Sequence, residues 1–369
     1  MQDKINQNSF KVVTVVGARP QFVKAAAISP RLASTGFIHE EIIHTGQHFD
    51  RAMSDVFFEE MAIPAPTVNL GIGGGTHGQN TGRMIEGLER VFLERRPNAV
   101  LVYGDTDSTL AAAIAASKLG LRLAHIEAGL RSFRRAMPEE INRVLTDHVS
   151  DVLYAPSAQA ANLLAKEGIE PDKVVISGDV MFDVVKRFSS LARERSNVLE
   201  RLGVETQSYQ LLTLHRKENV DDPVLLRRVL EAVGTAVKTT VFLVHPRTAK
   251  MLAEFQIKVS SRIRLVEPVG YIDMLRLIEG CSLVLTDSGG LQKEAYFLGR
   301  PCITLREETE WTELVDSGAN VLAGTDPTRI TNALASIKNL GAIPEGIYGD
   351  GHASEKIAQD LLSRFQAGA

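Results

Sequence analysis

The chain is poor in cysteine, in charge of one sign and in long apolar runs, and each shortage removes a class of protein. Its two cysteines, Cys281 and Cys302, lie in separate apolar strand-like runs and form no CxxC pair, which argues against a disulfide framework and against a thiolate metal site. A reducing, cytoplasmic setting is expected. Lys plus Arg number 41 against 45 Asp plus Glu, a net charge of -4, so the bulk electrostatics ask for neither nucleic acid nor anionic lipid as a partner. No stretch of about 18 apolar residues occurs, and a membrane-spanning role is not expected. The N-terminal segment contains an acid, lacks a continuous apolar run and leads straight into a strand pattern, unlike a signal peptide. There is no internal repeat and no low-complexity tract. The nine histidines show no HExxH or comparable spacing, so metal dependence is not implied.

What is present is a chain of 369 residues, 44% of them hydrophobic, able to bury a sizeable core and long enough for two domains of about 150 residues or more. Short β-branched runs alternate with segments of helical apolar spacing, the signature of a parallel α/β sheet. The first half offers the strands KVVTVVGA, HEEIIHTG, AVLVYGD, RLAHIEA, VLYAPS and VVISGD. Its helices are expected at Arg19 to Ser34, Arg51 to Met61, Gly78 to Arg95, Ser108 to Lys118 and Pro138 to Val149. The second half offers YQLLTLH, VFLVHP, IRLVEP, LVLTDS, PCITL and NVLAG, with helices beginning near Asp222, Arg247, Ile272, Gly289, Glu310 and Pro327. Near-continuous apolar strands imply sheets covered on both faces. The expected fold is therefore two doubly wound Rossmann-like domains facing a cleft. The first spans 1–186, the second 187–352, with the break in a charged stretch that includes a helix. A last helix, Ala353 to Phe365, follows a Gly-rich turn and is free to pack back on the first domain.

Ligands of open α/β sheets bind outside the carboxyl ends of the strands, so polar residues there are the candidates. LVLTDS runs into Gly289 and Gly290 and then a helix. Ser288 and two bare backbone amides at a helix N-terminus form a ready anion site. Glu294, one turn further, can accept hydrogen bonds from ribose hydroxyls beside a bound phosphate. His215 and Arg216 follow one strand, and His245 with Arg247 follows the next; histidine in such a place can donate to phosphate or exchange a proton near neutral pH.

In the first half GARP, GDTDST, HIEAGLRSF and RAMPEEINR all sit at strand ends. Arg19 and Lys24 are one turn apart and can face the same ligand. Asp105, Glu127 and Glu139 come from three different strand ends. Carboxylates converging with cations are what proton transfer beside an anionic leaving group requires. Taken singly each has a structural alternative: Asp105 as a helix N-cap, Glu127 and Glu139 in salt bridges. His39, His77, His125 and His148 are read as structural. GGGTHG formally matches GxGxxG, but no full strand precedes it and no acid follows at the right distance; it reads as a loop. Gln47 and His48, in TGQHFD, are candidates for the rim of the site, and Trp311 is expected to pack under a helix.

The ordered set GARP, TGQH, GDTDST, HIEAGLRSF, PEEINR, LHRKEN, HPRT, TDSGGLQKEA and REETE, from residue 11 to about 365, resembles the non-hydrolysing UDP-N-acetylglucosamine 2-epimerases. The resemblance implies two Rossmann-like domains of GT-B type, a homodimer, and neither metal nor nicotinamide. It implies interconversion of UDP-GlcNAc and UDP-ManNAc through loss of the C2 proton and of UDP, an enzyme-bound 2-acetamidoglucal, and re-addition of UDP, with the product entering polysaccharide biosynthesis. By motif it makes Asp105, Glu127 and Glu139 the acid/base carboxylates and His215 a catalytic residue near the pyrophosphate. Arg19 and Lys24 correspond to residues lining the substrate site, Ser288 and Gly289 to phosphate contacts, and Glu294 to the ribose ligand. Arg216 and His245 fall in motifs of the nucleotide-binding side.

The commonest bacterial pattern has GTRPE, TAQHR, HRRE and TERPE where this chain has GARPQ, TGQHFD, HRKEN and TEWTE. The set is more similar to a branch holding archaeal enzymes and the 2-epimerases of UDP-2,3-diacetamido-2,3-dideoxy-glucuronate. That sugar is the alternative substrate, and a GT-B glycosyltransferase is the reading from another class. In bacterial members the Gln-His pair belongs to an allosteric UDP-GlcNAc site; Gln47 and His48 are retained in altered surroundings.

Overall fold

The computed structural model describes residues 10–47, 63–336 and 344–366. The expected helix Arg51 to Met61 lies outside them. The chain divides into two compact units, Met1–Val184 with Gly346–Ala369, and Val185–Glu345.

Seven parallel strands form the sheet of the first unit: β1 (Phe10–Val16), β2 (Ile38–His44), β3 (Val68–Asn69), β4 (Ala99–Tyr103), β5 (Arg122–Ile126), β6 (Val152–Ala155) and β7 (Val174–Ile176), in the order β3-β2-β1-β4-β5-β6-β7. Every residue of β4 is buried. That explains its unbroken apolar run, since helices cover both faces of a parallel sheet. The helix Asp107–Lys118 is buried along most of its length, and five of its twelve residues are alanines with no exposed surface. Small side chains let it lie between the helices His77–Arg95 and Pro138–Val149, which it touches on either side. β3 has only two residues, too short to announce itself by periodicity, and was not among the expected strands.

The second unit repeats the plan with six parallel strands: β8 (Tyr209–Leu214), β9 (Thr239–Val244), β10 (Ile263–Val266), β11 (Val284–Thr286), β12 (Cys302–Thr304) and β13 (Asn320–Leu322), in the order β10-β9-β8-β11-β12-β13. Successive strand residues enter opposite cores, as the two-residue period requires. Leu212, Leu214, Phe242, Val244, Leu285 and Ile303 lie in one cluster, while Tyr209, Leu211, Val241, Leu243, Val284 and Cys302 lie in the other. Cys281 and Cys302 are free and buried, and burial pushes both thiols up to about 12.

The final helix, Ala353–Gln366, belongs to the first unit. It packs on the helix Arg19–Ser34. The Asp183 carboxylate caps it by accepting from the backbone N–H groups of Ala353 (3.0 Å) and Ser354 (2.8 Å), and Tyr154 donates its hydroxyl to Asp360 at 2.8 Å. Among the described residues no helix is long and apolar enough to cross a membrane.

Candidate functional site

In each sheet the strand order reverses beside the first strand of its unit, between β1 and β4 and between β8 and β11. Such a switch point is where open α/β sheets bind ligands. The candidate residues cluster at both.

At the first switch point Gly17 leaves β1, and a Cβ there would fall 2.0 Å from Ser108 Oγ and 2.2 Å from Thr45 Oγ1. Only glycine fits. Gln21, in the first turn of the helix Arg19–Ser34, closes the gap between the two strands. Its Oε1 accepts from the N–H groups of Gly17 (2.7 Å) and Ala18 (3.0 Å), and its Nε2 donates to Tyr103 O (3.0 Å) and Thr109 Oγ1 (2.9 Å). All four of its hydrogen-bonding positions are used, a role that needs an amide and that the sequence did not reveal. Arg19 opens the same helix; its side chain lies outside the described part. Gln47 Oε1 accepts from Ser108 N (3.2 Å) and Ser108 Oγ (2.7 Å), which fastens its loop to the start of the helix Asp107–Lys118. His48 lies outside the described residues.

The register of β4 on β5 pairs Tyr103 with Ile126, so Gly104–Asp105 and Glu127 leave the sheet side by side. Lys24 pairs with the Glu127 carboxylate, both almost fully buried. Gly104, at φ +60°, passes so close that an added Cβ would lie 3.2 Å from Glu127 Oε2 and 3.3 Å from Lys24 Nζ. Glu127 itself has φ +71°, a left-handed conformation that costs a side-chain-bearing residue free energy and that clusters at functional positions. Its N–H and that of Ala128 both donate to Tyr154 O at 3.1 Å, which holds the turn.

Asp105 is not a helix cap: Thr106 takes that place, its side chain accepting from Thr109 N. The Asp105 carboxylate instead receives Arg143 Nη2 at 2.5 Å, and its carbonyl receives Asn142 Nδ2 at 2.8 Å. Arg143 also donates to Glu140 at 3.0 Å. The two adjacent glutamates of the PEE motif are therefore placed differently. Glu140 is buried and accepts from Ser132 N, Ser132 Oγ and Phe133 N besides Arg143. Burial works to raise its carboxyl, but these bonds outweigh it and hold Glu140 below the ordinary range. Glu139 is exposed.

Behind this cluster His125 is fully buried, with Nδ1 2.7 Å from Asp147 Oδ1 and Nε2 2.8 Å from Gly104 O. Asp147 also accepts from Arg131 Nη1 (2.7 Å) and Gly129 N (3.1 Å). Burial would raise the Asp147 carboxyl; the bonds from His125 and Arg131 hold it low instead. The structural role expected of His125 is thus a specific one, tying the backbone beside Asp105 to the strand that carries Glu127.

At the second switch point the helix Gly289–Phe297 begins after Ser288, whose side chain makes no cap bond to its first N–H groups. Gly290 is open to solvent, and a Cβ on Gly289 would meet Glu310 Oε1 at 2.6 Å. That carboxylate is paired with Arg306 at 2.9 Å. Glu294 lies one turn along, half-buried. Trp311 is buried, donates its indole N–H to Gly289 O at 3.0 Å and carries the Lys293 ammonium 4.0 Å from its ring centre, so it supports the helix start, as expected.

His215 and Arg216 follow β8 and His245 follows β9. The imidazoles of His215 and His245 have centroids 5.8 Å apart. His245 Nδ1 accepts from Arg247 N at 3.2 Å, which leaves its proton on Nε2. Burial, then the neighbouring His215, lowers the pKa of His245. Below them lies a residue that sequence reasoning passed over, Asp287, with no exposed surface. It accepts from the N–H groups of His215 and Arg216 at 3.0 Å each and from Asn219 Nδ2 at 3.0 Å, and its other oxygen is 3.0 Å from His215 Nδ1. Burial opposes its ionisation, but these donors hold its carboxyl below the usual range. Its position in TDSGG between a strand and a glycine pair was the available signal.

The family model described as UDP-N-acetylglucosamine 2-epimerase matches residues 31–362. The chain is 47% identical over 357 residues to the UDP-2,3-diacetamido-2,3-dideoxy-D-glucuronate 2-epimerase of Pseudomonas aeruginosa, covering 95% of this chain and 99% of that one. It is 43% identical over 361 residues to the UDP-N-acetylglucosamine 2-epimerase of Methanocaldococcus jannaschii, covering 95% and 98%. The crystal structure of the Methanocaldococcus jannaschii UDP-GlcNAc 2-epimerase in complex with UDP-GlcNAc and UDP superposes with a TM-score of 0.87 at 42% identity, over 96% of this chain and all of that one (100%). Two parallel Rossmann-like sheets of GT-B-like class, strand-end carboxylates with cations, and an uncapped helix start beside paired histidines accompany that similarity, and the chain belongs to the UDP-N-acetylglucosamine 2-epimerase family, isomerases that act on UDP-sugars.

Proposed function

We propose that the protein interconverts UDP-GlcNAc and UDP-ManNAc without hydrolysing them. The observation that carries this reading is the buried Lys24–Glu127 pair set beside Asp105 on Arg143, because a nucleotide-binding protein without C2 chemistry has no use for such a cluster. In the forward step a carboxylate of the set Asp105, Glu127 and Glu139 takes the C2 proton. The C1–O bond to UDP breaks with its electron pair leaving on the diphosphate, and a C1–C2 double bond forms. Return of UDP to C1 with delivery of a proton to the other face of C2 gives the epimer. The C2 proton is weakly acidic, so the developing charge on UDP must be stabilised as it leaves. Gly289 and Gly290 supply N–H groups and a helix dipole for phosphate and Ser288 its hydroxyl, His215, Arg216 and His245 supply further donors, Glu294 takes the ribose, and Arg19 and Lys24 line the sugar.

A second reading, the UDP-2,3-diacetamido-2,3-dideoxy-glucuronate as substrate, is favoured by the 47% identity to the Pseudomonas aeruginosa enzyme. The test is incubation of each nucleotide sugar in heavy water, followed by NMR. Deuterium at C2 of an intact epimer of UDP-GlcNAc supports the first reading, and exchange only with the glucuronate supports the second. Release of free sugar, or no exchange with either, refutes both.

The assembly we infer is a homodimer. Ile141, Leu145 and Val149 are exposed at four-residue spacing along the helix Pro138–Val149, an apolar stripe that suits a second copy. The buried, unpaired cysteines fit a reducing cytoplasm, where the epimer would serve as an activated sugar for polysaccharide biosynthesis.

A further inference from the structure

We propose that Asp287 is the positioning residue of His215, setting its tautomer so that Nε2 is the atom turned to the diphosphate of the substrate. The inference rests on the reading of His215 as a phosphate-side residue and adds what makes that histidine competent.

The two oxygens of Asp287 have different partners. One accepts from His215 N, Arg216 N and Asn219 Nδ2, which fixes the carboxylate in place. The other, besides a longer contact to His215 N at 3.2 Å, is 3.0 Å from His215 Nδ1. A carboxylate with no proton can only accept, so we place the hydrogen of this contact on Nδ1. Nε2 is then the proton-exchanging nitrogen: bare in the neutral ring, a donor in the imidazolium. Such a carboxylate–imidazole pair fixes ring orientation and tautomer and stabilises the charge as it forms. His215 is half-exposed while Asp287 has no exposed surface; the ring thus rests on a buried anchor and presents its far edge outward. His245, stacked at a tilt of 42° beside it, has the opposite arrangement. Its Nδ1 accepts a backbone N–H, so its Nε2 carries the hydrogen. Of the charged side chains next to the two histidines in the chain, Arg247 is engaged by Asp221, and Arg216 by Glu218 and, through Nε, by Asp287 O at 3.0 Å. Together the two rings present one fixed donor and one proton-exchanging nitrogen, which suits a diphosphate oxygen that gains and loses charge.

Asp287→Asn makes the decisive test because its outcome is dictated by the donors already in place. Three N–H groups demand an oxygen at one position, so the Asn amide nitrogen must occupy the other and point its hydrogens at His215 Nδ1. The ring then has to move its own proton to Nε2. With the protein labelled in its histidine nitrogens, and His215→Gln used to assign the signal, long-range proton–nitrogen correlation at alkaline pH reads the tautomer directly. The wild type should show Nδ1–H and Asp287→Asn should show Nε2–H, with kcat down about 10²-fold or more and KM changed less than about threefold. A wild-type Nε2–H tautomer overturns the proposal without any variant, even if Asp287→Asn fails to fold. An unchanged tautomer in the variant overturns it, and so does a changed tautomer with wild-type kcat. Absence of epimerisation by the wild type refutes the proposed function instead and leaves the tautomer assignment standing on its spectrum.

Discussion

The Lys24 ammonium and the Glu127 carboxylate meet over the backbone of Gly104, with 9% and 11% of their side chains exposed. A cation and a base buried together at a strand end, one of them on a left-handed residue, is an arrangement that packing alone does not call for. Replacing Glu127 by Gln keeps the shape and one accepting oxygen but removes the ability to take a proton. Exchange of the C2 hydrogen with heavy water should fall by about 10²- to 10⁴-fold, while calorimetry should show UDP bound as before. Exchange within tenfold of the wild type would exclude Glu127 from the proton transfer.

Gly104→Ala tests how tightly the pair is held. The new Cβ would be forced to φ +60° at 3.2 Å and 3.3 Å from the two charged groups, so the backbone strain costs about 1–2 kcal/mol and both side chains must shift by a few tenths of an ångström to admit the methyl group. Urea unfolding should register the first effect and the turnover number a larger, separate loss. A variant that loses stability but turns over normally would show that the close approach is only structural.

Glu139 and Glu140 are neighbours with separable tasks. Glu139→Gln breaks no hydrogen bond or ion pair among the described residues and should leave the unfolding midpoint unchanged while C2 exchange is lost. Glu140→Gln cannot satisfy Ser132, Phe133 and Arg143 at once and should cost about 1–3 kcal/mol of stability. The opposite pattern would move the chemical role to Glu140.

The strand ends were legible because the central strands of a parallel sheet are mostly buried and apolar, so that polar clusters gather where they finish. TDS, HRKEN and GDT stand out against apolar runs for that reason. The order of strands was not legible, nor were the partners that arrive from far along the chain. Asp287 reaches His215 across 72 positions and Arg143 reaches Asp105 across 38, and no local period marks either contact. Gln21 shows the same limit. Its departure from the Glu of the common pattern is visible in the sequence, but the reason, two carbonyl-side and two N–H-side partners, exists only once β1 and β4 are adjacent.

The inferred dimer rests on the stripe of Ile141, Leu145 and Val149. Leu145→Glu places a charge in its centre, which an exposed helix face tolerates and an apolar interface does not. Sedimentation should show a dimer for the wild type and a folded monomer for the variant. A wild-type monomer, or a variant dimer of equal affinity, would take the stripe out of the assembly.

Asp147, like Glu140, makes the first unit sensitive to acid. Its carboxyl is held below the ordinary value in the folded chain by His125 and Arg131. Its contribution is therefore complete above the unfolded value of about 3.9 and disappears as the pH falls through the lower folded one. Asp147→Asn should cost about 1–3 kcal/mol at pH 7, because Arg131 keeps Glu167 at 2.7 Å but loses one buried partner and His125 loses its carboxylate. The difference from wild type should hold down to about pH 5 and shrink below about pH 4, where the carboxyl of the unfolded chain begins to take up protons while the native one is still ionised. Denaturant midpoints of both proteins across that range measure it; a gap that stays constant, or widens in acid, would mean that Asp147 is not ionised in the fold.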